Sequence, residues 1–146
     1  MLIAVDFDGT IVEHAYPAIG KPIPFAIEVL KKLQEEGHMI VLWTYRTGET
    51  LDAAVNYCRE KGLEFYAVNK MFPEEEWEEG APRKIDADIF IDDKNILGLP
   101  DWGEIYRIVK FGNTENASYD NNSVDNVQFR VQRQEKKSFL SKLFNR

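Results

Sequence analysis

The stretch LIAVDFDGTI, residues 2–11, begins with an uninterrupted apolar run and then places Asp6 and Asp8 one residue apart, ahead of Gly9 and Thr10. A short apolar run without helical period reads as a strand buried on both faces. Runs of the same kind follow at HMIVLWT (38–44), LEFYAVN (63–69) and ADIFIDD (87–93), the last again ending in paired aspartates. Between the first three lie amphipathic segments. PFAIEVLKKLQEEG (24–37) carries Phe25, Val29, Leu30 and Leu33 at helical spacing, with Pro24 suited to a first turn and Gly37 to a stop. TGETLDAAVNYCREKG (47–62) sets Leu51, Ala54, Val55 and Cys58 on one face and closes at Gly62. Alternating strands and helices, with strands apolar throughout, predict parallel pairing under covering helices. The expected fold is a three-layer α/β/α sandwich around a central parallel sheet, of Rossmann type.

The rest of the chain extends this reading. Gly9 to Pro24 holds Pro17, Gly20 and Pro22 and reads as a loop or short hairpin. KMFPEEEWEEGAP (70–82) is an acidic loop, and LPDWGEIYRIVKF (99–111) is a closing helix with Asp101 and Glu104 as a capping box. Beyond residue 112 the composition changes, with five asparagines between 113 and 126. We expect a domain over 1–112 and a polar linker over 113–146 that ends in a basic stretch, where Phe139, Leu140, Leu143 and Phe144 share one helix face. That tail is read as a flexible, disordered segment with no role of its own. The other readings are a contact with a membrane surface and a docking segment for a protein partner.

Composition narrows the function. The chain of 146 residues has a net charge of −7, and residues 1–112 alone, with 12 Lys+Arg against 21 Asp+Glu, reach −9. An acidic body argues against a broad nucleic-acid surface. No apolar run is long enough to span a bilayer. With a single cysteine, Cys58, and a core strand directly after Met1, a reducing cytoplasm is the expected location.

Sites in open parallel sheets form beyond the carboxyl ends of the strands. There the first strand delivers Asp6 and Asp8, the second Thr44, Tyr45 and Arg46, and the fourth Asp92 and Asp93, with Lys84 just upstream. Two carboxylates about 5 Å apart repel by roughly 3 kcal/mol at an effective dielectric near 20. Four acids in one cleft therefore call for a cation, and a hard divalent ion such as Mg²⁺ suits oxygen ligands and phosphate together. Lys84 and Arg46 would add positive charge for phosphate oxygens, and the Thr44 hydroxyl a hydrogen bond.

This constellation resembles the haloacid dehalogenase superfamily, in its phosphatase branch, over roughly residues 1–110. DFDGT (6–10) is similar to the first motif of that family, VLWT (41–44) to the second, Lys84 to the third and IFIDD (89–93) to the fourth. The resemblance implies Asp6 as nucleophile, Asp8 as acid/base, Thr44 as phosphate-binding hydroxyl and Lys84 as the neutralising cation, with Lys70, Arg83 and Lys94 as its competitors. It also implies Mg²⁺ held by Asp6, the Asp8 backbone carbonyl and Asp92, with Asp93 ligating through water or orienting Lys84. Gly9 would turn the chain sharply beneath the substrate, with Tyr45 and Arg46 beside it; His14, Tyr16 and Trp77 are further candidate contacts.

The intervals Asp6 to Thr44 and Thr44 to Lys84 are 38 and 40 residues, too short for an inserted cap domain. A capless member is expected to borrow a lid from a neighbouring subunit or a protein partner. The function read here is a Mg²⁺-dependent phosphomonoester hydrolase with an aspartyl-phosphate intermediate, acting on a small phosphorylated metabolite. Its alternatives are a phosphatase of nucleic-acid ends or phosphoproteins, and a catalytically silent phosphate- or metal-binding module whose role lies in the tail.

Overall fold

Leu2–Val5 forms strand β1, buried at every position, and it occupies the interior of the sheet. The computed structural model describes residues 1–76, 78–80 and 82–112. The elements that follow are α1 (Ala26–Glu35), β2 (Met39–Leu42), α2 (Gly48–Glu60), β3 (Ala67–Val68), β4 (Ile89–Ile91) and α3 (Trp102–Phe111). The strand order is β3-β2-β1-β4, with every pairing parallel, as the apolar runs predicted. Among the described residues there is no cap domain: those between strands hold only α1, α2 and irregular chain.

That order dictates which face each connection covers. β1 to β2 and β2 to β3 step in the same direction, so right-handed crossovers put α1 and α2 on one face. The return from β3 to β4 must cross the other. Side chains confirm this. Leu2, Ala4, Val41 and Ala67 share one face of the sheet and pack with Ile85, Met71 and Ala87 from the returning segment. That outer layer is irregular chain, with no helix among its described residues. On the helical side, α1 is tied to the end of α2 by Lys31 Nζ donating to the Lys61 carbonyl at 3.3 Å. α1 also meets α3, where the Tyr106 hydroxyl donates to Glu36 at 2.6 Å.

Local chemistry explains where the elements stop. The third apolar run was expected to pair over Leu63–Asn69 but forms only two strand residues. Its start is consumed by the end of α2: Gly62, at φ +79°, allows its N–H to reach Arg59 O, while the Leu63 N–H reaches Cys58 O at 3.0 Å. The buried stripe of α1 is Ala26, Ile27, Leu30 and Leu33. Phe25, expected on that face, has φ +66° just before the helix and is 70% exposed. α3 forms as expected with half of its capping box. Asp101 accepts from the Glu104 N–H at 3.0 Å, whereas the Glu104 carboxylate turns to Arg107 instead of returning to the cap.

Met1–Arg107 forms one compact unit, and of the second, Ile108–Arg146, the described residues are only the last turn of α3 and Gly112. The expected linker and basic tail, 113–146, lie outside the described residues, as does Trp77. No described helix is long and apolar enough to cross a membrane.

Candidate active site

Register builds the site. Val5 pairs with Leu42 on one side and Ile91 on the other, so all three strands end at one level. Asp6 and Asp92 are each the next residue, and the Asp6 N–H still donates to Ile91 O at 2.9 Å. Adjacent strands lie about 4.8 Å apart. Two acids at the same level on neighbouring strands therefore cannot avoid each other. Ligand oxygens from Asp6, Asp92 and Asp93 all lie within 4.8 Å of one another.

The third acid is held from below. The Asp93 N–H donates to Thr10 Oγ1 at 3.1 Å, which ties the fourth strand to the DFDGT turn. Its Oδ2 meets His14 Nε2 at 2.9 Å and Lys94 Nζ at 3.3 Å. Its Oδ1 is buried with no hydrogen-bond partner. Gly9 makes this approach possible. It has φ +88°, and a Cβ there would stand 2.3 Å from His14 Nε2 and 2.7 Å from the Asp93 carboxylate. The Asp92 Oδ1 accepts from the Lys94 N–H at 2.7 Å, an Asx turn that aims the carboxyl group.

The electrostatics bear the mark of this crowding. Burial, followed by Asp92, Asp93 and Asp8, pushes the Asp6 carboxyl up to about 6, although the Phe7 N–H works against them. At Asp93 burial also pushes upward, but the bonds to His14 and Lys94 outweigh it and hold the group below its ordinary value. An all-carboxylate cluster with one orphaned buried oxygen fits a hard cation, whose ligands are oxygens. Nitrogen and sulfur, which softer metals prefer, do not contribute to the three-acid group.

Asp8 stands apart from those three. Arg46 donates from Nε to its Oδ2 at 2.6 Å and from Nη2 to its Oδ1 at 2.7 Å. Arg46, expected at the phosphate, is 1% exposed and cannot play that part. Its remaining N–H groups go to the carbonyls of Pro17, Ala18 and Thr50. Those five bonds use every donor a guanidinium has.

The other expected residues divide. Thr44 sits where β2 delivers it, its N–H donating to Asn69 Oδ1 at 2.8 Å and its hydroxyl accepting from the Arg46 N–H at 3.3 Å. Tyr45 is 95% exposed, so its ring is turned to solvent. Lys84 lies over the Phe90 ring at 5.5 Å, one strand repeat before Asp92, while Lys94 touches Asp93 directly. Lys70 donates to the Pro73 carbonyl at 2.8 Å. One participant carries no clear signal in the sequence: Asn69, in the left-handed region at φ +52°. His14, named there as a candidate contact, meets Asp93, 79 residues on.

A solved structure described as that of a conserved protein coded by a locus of Bacteroides thetaiotaomicron is 57% identical in sequence and superposes with a TM-score of 0.75. The match covers 83% of this chain and 98% of that one. No protein-family model matches the chain, and no curated protein does.

Proposed function

We propose, for a chain that belongs to the same family as that conserved Bacteroides protein, a Mg²⁺-dependent phosphomonoester hydrolase working through an aspartyl phosphate on Asp6. The haloacid dehalogenase superfamily is the wider group to which we assign it. One observation carries the reading: three carboxylates within 4.8 Å at the carboxyl edge of a parallel sheet, one with a buried oxygen that has no partner.

Asp6, Asp92 and Asp93 would hold the ion, which would screen their mutual repulsion and lower the charge barrier to an incoming phosphate dianion. Asp6 is the nucleophile, set at the end of a strand buried at every position, so its carboxylate is aimed by the sheet itself. Asp8, two residues on, handles protons. The Thr44 hydroxyl, already accepting from a backbone N–H, keeps its own hydrogen to donate to a phosphate oxygen. Lys94, which pairs with Asp93, and Lys84, over the Phe90 ring of the fourth strand, are the candidate neutralising cations.

The preferred substrate is a small phosphorylated metabolite, held at an open edge that a neighbouring subunit or partner closes. We place the protein in the cytoplasm, where its single buried thiol stays reduced. The test is phosphate release from a panel of phosphorylated metabolites with Mg²⁺ and with EDTA. We expect turnover only with the ion, and its loss in Asp6→Asn. Undiminished turnover in that variant would refute Asp6 as nucleophile, and no turnover of any substrate would refute the enzyme.

A further inference from the structure

The loop over residues 13–21 is fastened along its length. Its base is closed by the Glu13 N–H, which donates to Lys21 O at 2.8 Å. On its way out it passes the acid cluster, where His14 Nε2 meets Asp93 Oδ2 at 2.9 Å. On its way back it is pinned by Arg46, which donates to the carbonyls of Pro17 and Ala18 at 3.0 and 2.7 Å and to both oxygens of Asp8. Tyr16 stands between these last two fastenings. Consecutive Cα atoms are only about 3.8 Å apart, so Tyr16 is confined to the rim between the three acids and Asp8. Its ring lies on the Arg46 guanidinium, whose carbon is 5.3 Å from the centroid, as the outer tier of a stack that begins with Phe7. Arg46 is 1% exposed and Tyr16 59%, so one face of the ring seals the cation and the other is open to solvent. Sealing a cation needs only a bulky side chain. The open face adds a flat, rigid surface that the loop has already ordered.

We propose that Tyr16 is a specificity-determining residue, a platform on which a flat aromatic ring of the substrate's leaving group stacks. The proposal rests on the phosphatase reading above and narrows its small phosphorylated metabolite to one that carries such a ring. Position supports it. Asp6 attacks phosphorus in line with the departing oxygen, and Asp8, which handles protons, marks where that oxygen leaves. Tyr16 is separated from Asp8 only by the guanidinium that touches both. A ring a few bonds beyond the departing oxygen therefore comes within reach of the open face. Offset stacking needs no hydrogen bond to the ring, so it selects for flatness over the identity of a base or an aryl group. The ring is uncharged, so the acidic body does not oppose its approach.

The experiment uses the full chain with Mg²⁺ and pairs of substrates that share a primary leaving oxygen and differ in the aromatic ring. Adenosine 5′-monophosphate is set against ribose 5-phosphate, and 3-phenylpropyl phosphate against propyl phosphate. The first pair reads a nucleobase and the second a simple aryl group. Wild type should favour the ring-bearing member of at least one pair by about tenfold or more in kcat/KM. Tyr16→Leu, which still covers Arg46 but offers no flat face, should bring that ratio to within about threefold of unity, and Tyr16→Phe should keep it. A merely structural role would lower both members of a pair together and leave the ratio where it was. Wild-type ratios near unity in both pairs overturn the proposal, and so does a ratio unchanged in Tyr16→Leu. The wild-type ratios decide by themselves if the leucine variant does not fold. Hydrolysis of none of these compounds overturns the phosphatase reading instead.

Discussion

Asp6 should cost the metal-free protein stability, and its replacement should return it. Its carboxyl is pushed from an ordinary 3.8 to about 6, mainly by burial. A carboxyl raised in the fold stabilises it fully below about 3.8 and loses that contribution as pH rises through about 6. At pH 7.5 the ionised group is therefore a penalty, of about 3 kcal/mol taken at face value. Asp6 is only half-buried, and solvent screening reduces the figure to about 1–2 kcal/mol. Asp6→Asn keeps the shape and removes the charge. In EDTA at pH 7.5 we expect the variant to be more stable by that amount, a rise of about 3–8 °C in Tm, read by thermal or urea unfolding. At pH 4 the advantage should vanish, because wild-type Asp6 is then protonated in the fold. Adding Mg²⁺ should reverse the order, since an ion that binds only the native wild type stabilises it by mass action. A variant less stable than wild type in EDTA at pH 7.5, or an advantage independent of pH, would refute the account of Asp6 as a strained charge awaiting a cation.

Three other expectations are simpler. Gly9→Ala places a Cβ 2.3 Å from His14 and 2.7 Å from Asp93 at φ +88°, so it should lower stability by about 1–3 kcal/mol and weaken Mg²⁺ binding in a calorimetric titration; an unchanged urea midpoint would contradict this. Asn69→Ala removes the acceptor for the Thr44 N–H and should cost about 1–3 kcal/mol, while Asn69→Asp, which keeps an acceptor oxygen, should cost less by the same denaturant assay. Cys58, whose thiol burial pushes up to about 12, should ignore an aromatic disulfide reagent at pH 8 in the native protein and react fully once urea unfolds it; rapid labelling of the native protein would count against it.

The central strand and its acids are legible because they need only local information. Four apolar runs divided by amphipathic segments have essentially one arrangement that buries them all, and parallel strands bring their carboxyl ends to one edge. Asp6 and Asp92 meet for that reason alone. The face of α1 was less legible, because Phe25 continues the helical period on paper but precedes the helix, at φ +66°. The length of β3 escaped for a related reason: the motif that ends α2 takes Leu63, and no periodicity shows that competition.

What the sequence determined by itself was the sheet, the helical crossovers and the meeting of paired acids, since each follows from burying apolar strands with a period their residues display. What only the tertiary structure decided is the partner of Asp8. Arg46 lies 38 residues away, and a cation just after a strand end reads as a phosphate contact. Folding instead closes the Pro17–Ala18 loop and the first turn of α2 over its guanidinium. A buried cation must have partners for every donor, and the acid within its reach is Asp8.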